Sequence, residues 1–349
     1  MNAAGTFEHW ACVYRDDQQL LQTAVPFLAG GLEAGEPVLA VTSRANLGLI
    51  GAALGERAGE VDYAESAFFG RRPPQRVAAF YRYWAGRAGN GRESTGASGG
   101  NARVRILAEP VWAGRSAREV AAWTRMESAL NVALAPASIS MVCPYDTSTL
   151  DPGIVADALR THPAQIAGSD LSPSAEFTDP AQFVRSCDTG PLAQPPAGAA
   201  EFGFDGSLRG LRRFIASRAD AYGVAGDRAE MLILAVSEVG AYQKNQGRGT
   251  ATVRTWEQPG AVVCDFCQPG TSISDPFLGL RPASLEPGAG DGLWLANQIC
   301  DWMEIRSGAE GCVIQLQVPS RRDQETVAQP GTRYPAWRRR PAPSCESPR

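Results

Sequence analysis

Over residues 12–143 short apolar runs alternate with stretches whose apolar positions recur every three or four residues. Cys12 to Tyr14 opens a strand, and Leu20, Leu21, Ala24, Phe27 and Leu28 then follow helical spacing up to a predicted stop at Gly30-Gly31. Val38 to Val41, Val104 to Leu107 and Ile139 to Cys143 are nearly unbroken apolar runs, as strands buried on both faces require. Between them Val77, Phe80, Tyr81 and Trp84 mark one helix, and Val120, Trp123, Met126 and Leu130 another. Strand and helix in alternation predict an α/β domain with a parallel sheet over residues 1–165. Gly86 to Gly100, rich in Gly and Ser, reads as a surface excursion within it.

Periodicity fades between His162 and Ala200, where Ser, Pro, Asp and Gly accumulate, and residues 166–200 are expected to be a linker. A second pattern occupies residues 201–320. Leu208, Leu211, Arg212 and Ile215 mark a helix and Asp227 to Gln243 another; strands are expected at Thr250 to Trp256 and Ala261 to Cys267. Gly288-Ala289-Gly290-Asp291-Gly292 precedes a helix from Leu293 to Cys300, and strands at Trp302 to Arg306 and Cys312 to Val318 close the pattern. The order predicts an α+β sandwich with helices on one face of a mostly antiparallel sheet. Residues 321–349, rich in Arg and Pro, read as a disordered tail.

Composition narrows the chemistry. Hydrophobic residues make up 44% and charged residues 20% of 349, ordinary globular usage. The 33 basic residues include a single lysine, Lys244, so no Walker A phosphate loop can be written and Schiff-base catalysis is disfavoured. With only His9 and His162, a multi-histidine metal centre is not expected, and no metal site is assigned. A net charge of −4 gives no basic field for DNA. The absence of a long apolar run and of a leader-like start predicts a cytoplasmic protein without a membrane span. The eight cysteines are too sparse for a disulfide scaffold, and Cys264 and Cys267, three apart on a strand, should point to opposite faces.

Candidate chemistry concentrates in the second half. On the helix Asp227 to Gln243, Met231, Leu234 and Ala235 define the expected core face, and Glu238 falls on it. A carboxylate there either lines a pocket or meets an arginine. Gly290 and Gly292 precede a helix whose N-terminal amides could face phosphate. In the first half His9 is expected to be a packed ring, His162 a helix-end residue, and Arg115 and Glu127 an ion pair across a pocket or on the surface.

Ala235-Val236-Ser237-Glu238-Val239, Ile273 to Gly279 and Gly290 to Asp301 together resemble the histidine-kinase-like ATPase domain of anti-sigma regulatory factors. His9, Cys12 and Tyr14, Gly35 to Val38, Glu109 to Trp112 and Cys143 to Thr147 resemble the MEDS sensory domain, related to RecA-like folds without the Walker lysine. The pairing is similar to RsbA-type anti-sigma regulatory proteins. That resemblance implies a sandwich of the ATPase type, Glu238 as general base, and Gly270, Gly290, Gly292 and Leu293 around ATP with Mg²⁺. It also implies a sigma factor or a STAS-type anti-sigma antagonist as partner and an unknown small-molecule or protein signal. Three positions depart from the family pattern: Tyr242 stands where an asparagine holds Mg²⁺, Gln268 where an aspartate receives adenine, and Asp291 where a basic residue is usual. ATP and Mg²⁺ binding is therefore expected to be weak or lost, which favours a regulatory binding module; the alternative is an active serine/threonine kinase acting on the STAS-type antagonist.

Overall fold

The computed structural model describes residues 7–90, 103–188, 190–246, 250–282 and 290–320. It divides into two compact units, with the main break after Thr178. The first carries β1 (Glu8–Tyr14), α1 (Asp17–Glu33), β2 (Val38–Thr42), α2 (Arg44–Leu54), β3 (Asp62–Glu65), α3 (Pro73–Asn90), β4 (Val104–Ala108), α4 (Ala117–Ala133), β5 (Ile139–Asp146), α5 (Pro152–Thr161), β6 (Ala164–Ala167) and β7 (Asp170–Pro173). Its seven strands lie in the order β3-β2-β4-β5-β1-β6-β7, all neighbours parallel except the β6–β7 hairpin. This is the α/β architecture with a mostly parallel sheet that the apolar runs predict.

Alternation along β1 sorts its side chains between the two faces. Cys12 and Tyr14 pack with Leu20, Ala24 and Phe27 of α1. His9 and Ala11 take the other face, in register with Met141 and Cys143 of β5. The helices begin where short polar side chains cap them: Asp16 accepts from the Gln19 amide ahead of α1, and Ser116 forms a reciprocal capping box with Glu119 ahead of α4. The glycine pair does not stop α1, which continues to Glu33. The Arg105 side chain crosses that glycine surface, donating to the Phe27 carbonyl at 2.9 Å and pairing with Glu36 at 2.8 Å, and a Cβ on Gly31 would collide with it. The excursion expected at Gly86 to Gly100 begins as helix, since α3 runs to Asn90; residues 91–100 lie outside the described residues.

The second unit carries α6 (Pro180–Cys187), β8 (Ala200–Phe204), α7 (Leu208–Ala221), α8 (Asp227–Asn245), β9 (Ala251–Gln258), β10 (Ala261–Pro269), α9 (Asp291–Ile299), β11 (Trp302–Gly308) and β12 (Gly311–Pro319). Its strands form one antiparallel sheet, β11-β12-β10-β9-β8. Leu211, Ile215, Leu232, Ala235, Val236, Val239, Leu293 and Ala296 from α7, α8 and α9 close a core over Val253, Val262, Cys264, Phe266, Ile314 and Leu316. Gly240 admits α7 against α8, because a Cβ there would meet Leu211 at 2.6 Å. Lys244 is exposed in the last turn of α8.

The stretch expected as a linker is structured in part. Its first residues complete the β6–β7 hairpin on the parallel sheet, and α6 buries Phe183 and Val184. Farther on, both ends of the Gln315 side-chain amide bond to the backbone of Ala193, on the sheet face opposite the helices. The tail 321–349 lies outside the described residues.

Candidate functional site

On the β1–β5 face covered by α4 and α5, four polar side chains converge. His9 of β1, Glu127 of α4, Cys143 of β5 and His162, which follows α5, are all buried, and one donor atom from each lies within 4.8 Å of the other three. Glu127 Oε2 is 3.5 Å from His9 Nε2 and 3.8 Å from His162 Nε2, and Cys143 Sγ is 3.4 Å from His9 Nε2.

Hydrogen bonds fix the chemical form of both rings. Asn131 Nδ2 donates to the carbonyls of Ser128 at 3.1 Å and Thr161 at 2.8 Å, so its Oδ1 faces His9 as an acceptor. His9 Nδ1 must then carry the proton, 3.2 Å from that oxygen. His162 Nδ1 likewise donates to the Ala158 carbonyl at 2.8 Å. Burial pushes His9 down to about 3, against the hydrogen bond it donates to Asn131, and His162 down to about 3, with His9 adding to the effect and Glu127 and Ala158 opposing it. Neutral rings protonated on Nδ1 leave both Nε2 lone pairs directed into the cluster.

Two expectations change here. Glu127 turns inward to the histidines, while Arg115 lies over the Trp123 ring at 4.1 Å and donates to the Val111 carbonyl. The two histidines, too few on composition for a metal centre, are brought into one group, with ring centroids 3.9 Å apart. A signal for it lay in the sequence: Glu127 stands four residues after Trp123 and three before Leu130, on the apolar face of its helix.

A second polar group sits at the C-terminal ends of the parallel strands, where open α/β sheets bind ligands. Glu109, just past β4, accepts from Tyr14 Oη at 3.1 Å, Asn46 Nδ2 at 3.0 Å and Thr42 Oγ1. Burial and the adjacent carboxylate raise the Tyr14 phenol, keeping it a donor. A shallow cleft beside this group is lined by Ser66, Arg71, Val111 and Arg115.

In the second unit the structure places the residues expected around a nucleotide as follows. The core face of α8 is Leu232, Ala235, Val236 and Val239, whereas Met231 and Leu234 are exposed, so Glu238 stands at the border of the buried face and is only partly covered. Its carboxylate lies against Gly292 in the first turn of α9, where a Cβ would meet it. Tyr242, one turn on, packs partly buried against the core. Leu293 is fully buried in that core. Gln268 is buried on β10 opposite Cys312, with the parity of Val262, Cys264 and Phe266 and thus toward the helices. Gly270 follows at φ 67°, its amide donating to the Glu310 carbonyl. Gly290 caps α9 at φ 125°, with Leu278 closing over it, and Asn297 donates to the Gly279 carbonyl at 3.0 Å, joining two of the motif blocks. Gly288 and Ala289 lie outside the described residues. Cys264 is buried among the helices while Cys267 is partly exposed near Arg254, opposite faces as strand geometry requires. Between them Asp265 is held by Arg254 through two bonds of 3.0 and 2.9 Å; burial raises its carboxyl against the pull of that arginine.

No helix among the described residues is long and apolar enough to cross a membrane. No curated protein matches the chain. Residues 8–163, a span that begins at the first residue of β1 and holds all four members of the buried histidine cluster, match the family model MEDS, the MEthanogen/methylotroph, DcmR Sensory domain.

Proposed function

We propose that the chain is a signal-responsive regulator of the anti-sigma partner-switching type. Its MEDS sensory domain, of RecA-like descent, reads a small-molecule or protein signal. Its second unit, a degenerate domain of the histidine-kinase-like ATPase type, holds a sigma factor or a STAS-type antagonist. Support for the first half is the family match over residues 8–163 together with the strand order, with β1 between β5 and β6.

One observation carries the reading of the second half: the Glu238 carboxylate lies against Gly292 in the first turn of α9. A helix N-terminus is where anionic phosphate would dock, and a carboxylate at that position supplies the negative charge itself. Asp291, in the same first turn, adds to it. Tyr242 and Gln268 bring neither the magnesium ligand nor the acidic adenine partner that the family pattern calls for. These features support partner capture without phosphate transfer.

The test uses the full chain. Titration calorimetry with ATP and Mg²⁺ should give no saturable heat at millimolar nucleotide. Co-elution with a sigma factor or a STAS-type protein should be the same with and without ATP. Phosphate transfer to a STAS-type protein at an ordinary kinase rate, lost in Glu238→Ala, would replace this reading with the active-kinase alternative. Failure to retain any sigma factor or STAS-type protein would remove the partner-switching assignment altogether.

A further inference from the structure

We propose that His9, Glu127, Cys143 and His162 are the four ligands of a closed transition-metal site, of the Zn²⁺ class, in the core of the sensory domain. The inference goes beyond the regulatory reading and does not depend on it.

The spacing of the donors is the first argument. A tetrahedral ion bound at about 2.0–2.3 Å by nitrogen, oxygen and sulfur separates its ligand atoms by about 3.3–3.7 Å. Three of the six separations are close to those edges, His9 Nε2 to Cys143 Sγ at 3.4 Å, His9 Nε2 to Glu127 Oε2 at 3.5 Å and His162 Nε2 to Glu127 Oε2 at 3.8 Å, and the other three lie within 4.8 Å. Contraction of the wider edges by rotation of the side chains would bring all four atoms to bonding distance of one central point.

The outer contacts are the second. Metal-binding histidines characteristically donate their remote ring nitrogen to a carbonyl or carboxylate, which fixes the tautomer and aims the lone pair. Both rings do this, His9 to the Asn131 side-chain oxygen and His162 to the Ala158 backbone carbonyl. His162 Nε2, completely buried, has no hydrogen-bond partner among the described residues. An unsatisfied nitrogen in a core is costly, and a metal bond would satisfy it.

The donor set then selects the ion. Two imidazoles, one thiolate and one carboxylate suit Zn²⁺ and similar borderline ions and disfavour Mg²⁺ and Ca²⁺, which take oxygen. A divalent ion with one thiolate and one carboxylate is charge-neutral, the condition under which charged groups are tolerated in a core. Four protein ligands leave no open position, so the site is structural and not hydrolytic. It would tie β1, α4, β5 and the residue after α5 together, and its loading would be coupled to folding of the domain.

The test is metal content and spectrum of the full chain. Protein grown with zinc should carry about one equivalent per chain. Replacement by Co²⁺ should give the visible absorption of a tetrahedral ion together with a thiolate-to-cobalt charge-transfer band. Cys143→Ser should abolish that band, whereas Cys264→Ser, which alters a buried thiol of the second unit, should leave it intact. Asn131→Ala, which removes only the outer contact of His9, should keep the band and weaken metal binding about 10- to 100-fold. Should the ligand variants fail to fold, the wild-type spectrum decides alone. Absence of stoichiometric metal together with absence of the thiolate band after refolding in Co²⁺ would overturn the proposal, as would a band that survives Cys143→Ser.

Discussion

Each unit buries a carboxylate on a sheet face, and the two are held in different ways. Asp265, 1% exposed, meets Arg254 from the adjacent strand in a two-pronged ion pair that is complete within the second unit. Glu127 of α4, 3% exposed, faces two imidazoles and a thiol collected from β1, β5 and the residue after α5. Both imidazoles are neutral in the form that burial favours. The first arrangement is a structural ion pair whose geometry is satisfied as it stands. The second is an array of lone pairs, the form of a site that receives something. Burial of a charged residue is therefore not informative on its own; the chemical type of its neighbours separates scaffold from site.

The comparison can be broken most directly at Asp265. Asp265→Ala removes both charge-assisted bonds to the partly exposed Arg254 guanidinium and should lower the stability of the second unit by about 1.5–3 kcal/mol. Replacing both partners, Asp265→Leu with Arg254→Met, should return most of that loss, since an apolar pair of similar volume carries no desolvation penalty. Urea denaturation of the single and double variants checks both statements. A double variant no better than the single would mean that the pair does more than balance its own charges.

A smaller effect is expected at Glu127. In metal-stripped protein Glu127→Gln preserves shape among neutral neighbours and should move the unfolding free energy of the first unit by about 1 kcal/mol or less. The gain in stability on adding Zn²⁺ should shrink in the variant, because ligand binding stabilises only in proportion to affinity for the folded state. Equal zinc stabilisation in both proteins would place the ion elsewhere. The smallest effect belongs to Glu238, which is only partly covered: Glu238→Gln should change stability by about 0.5 kcal/mol at most, as read from the same denaturation curves.

The elements with long unmixed signals were legible in the sequence. Val38 to Val41 and Ile139 to Cys143 form strands because such runs must be buried on both faces of a parallel sheet. The helix α2 escaped notice since only Ile50 and Leu54 of its eleven residues are buried and two glycines interrupt it. All four residues of β7 are exposed, which leaves no apolar period to read. In α8 the run Met231-Leu232-Ile233-Leu234-Ala235-Val236 is apolar all round, so a stripe through Met231 and Leu234 looked as good as the buried one through Leu232 and Val236. The glycine pair of α1 resembles a stop in the sequence because the arginine that fills the space over it lies more than seventy residues away.

The buried cluster was missed for a different reason. Its members are at positions 9, 127, 143 and 162, with no metal-ligand spacing between them, and only the β1–β5 register and the packing of α4 and α5 bring them together. The number of histidines carries no information on their placement; the carboxylate of Glu127 on the apolar face of α4 does. The same reasoning singles out Glu238, which lies partly covered at the edge of the core.

Lys244 has a consequence for how the chain can be modified. Its positive surface is otherwise made of guanidinium groups, which neither lose their charge at physiological pH nor react with acylating reagents. An amine-directed label thus finds a single side chain, on the last turn of α8, where an ammonium complements the carbonyl end of the helix. Acetylation there would erase one charge at one defined place in the second unit. A fluorophore attached to it would report on the helix that carries Glu238 without a cysteine having to be engineered for the purpose.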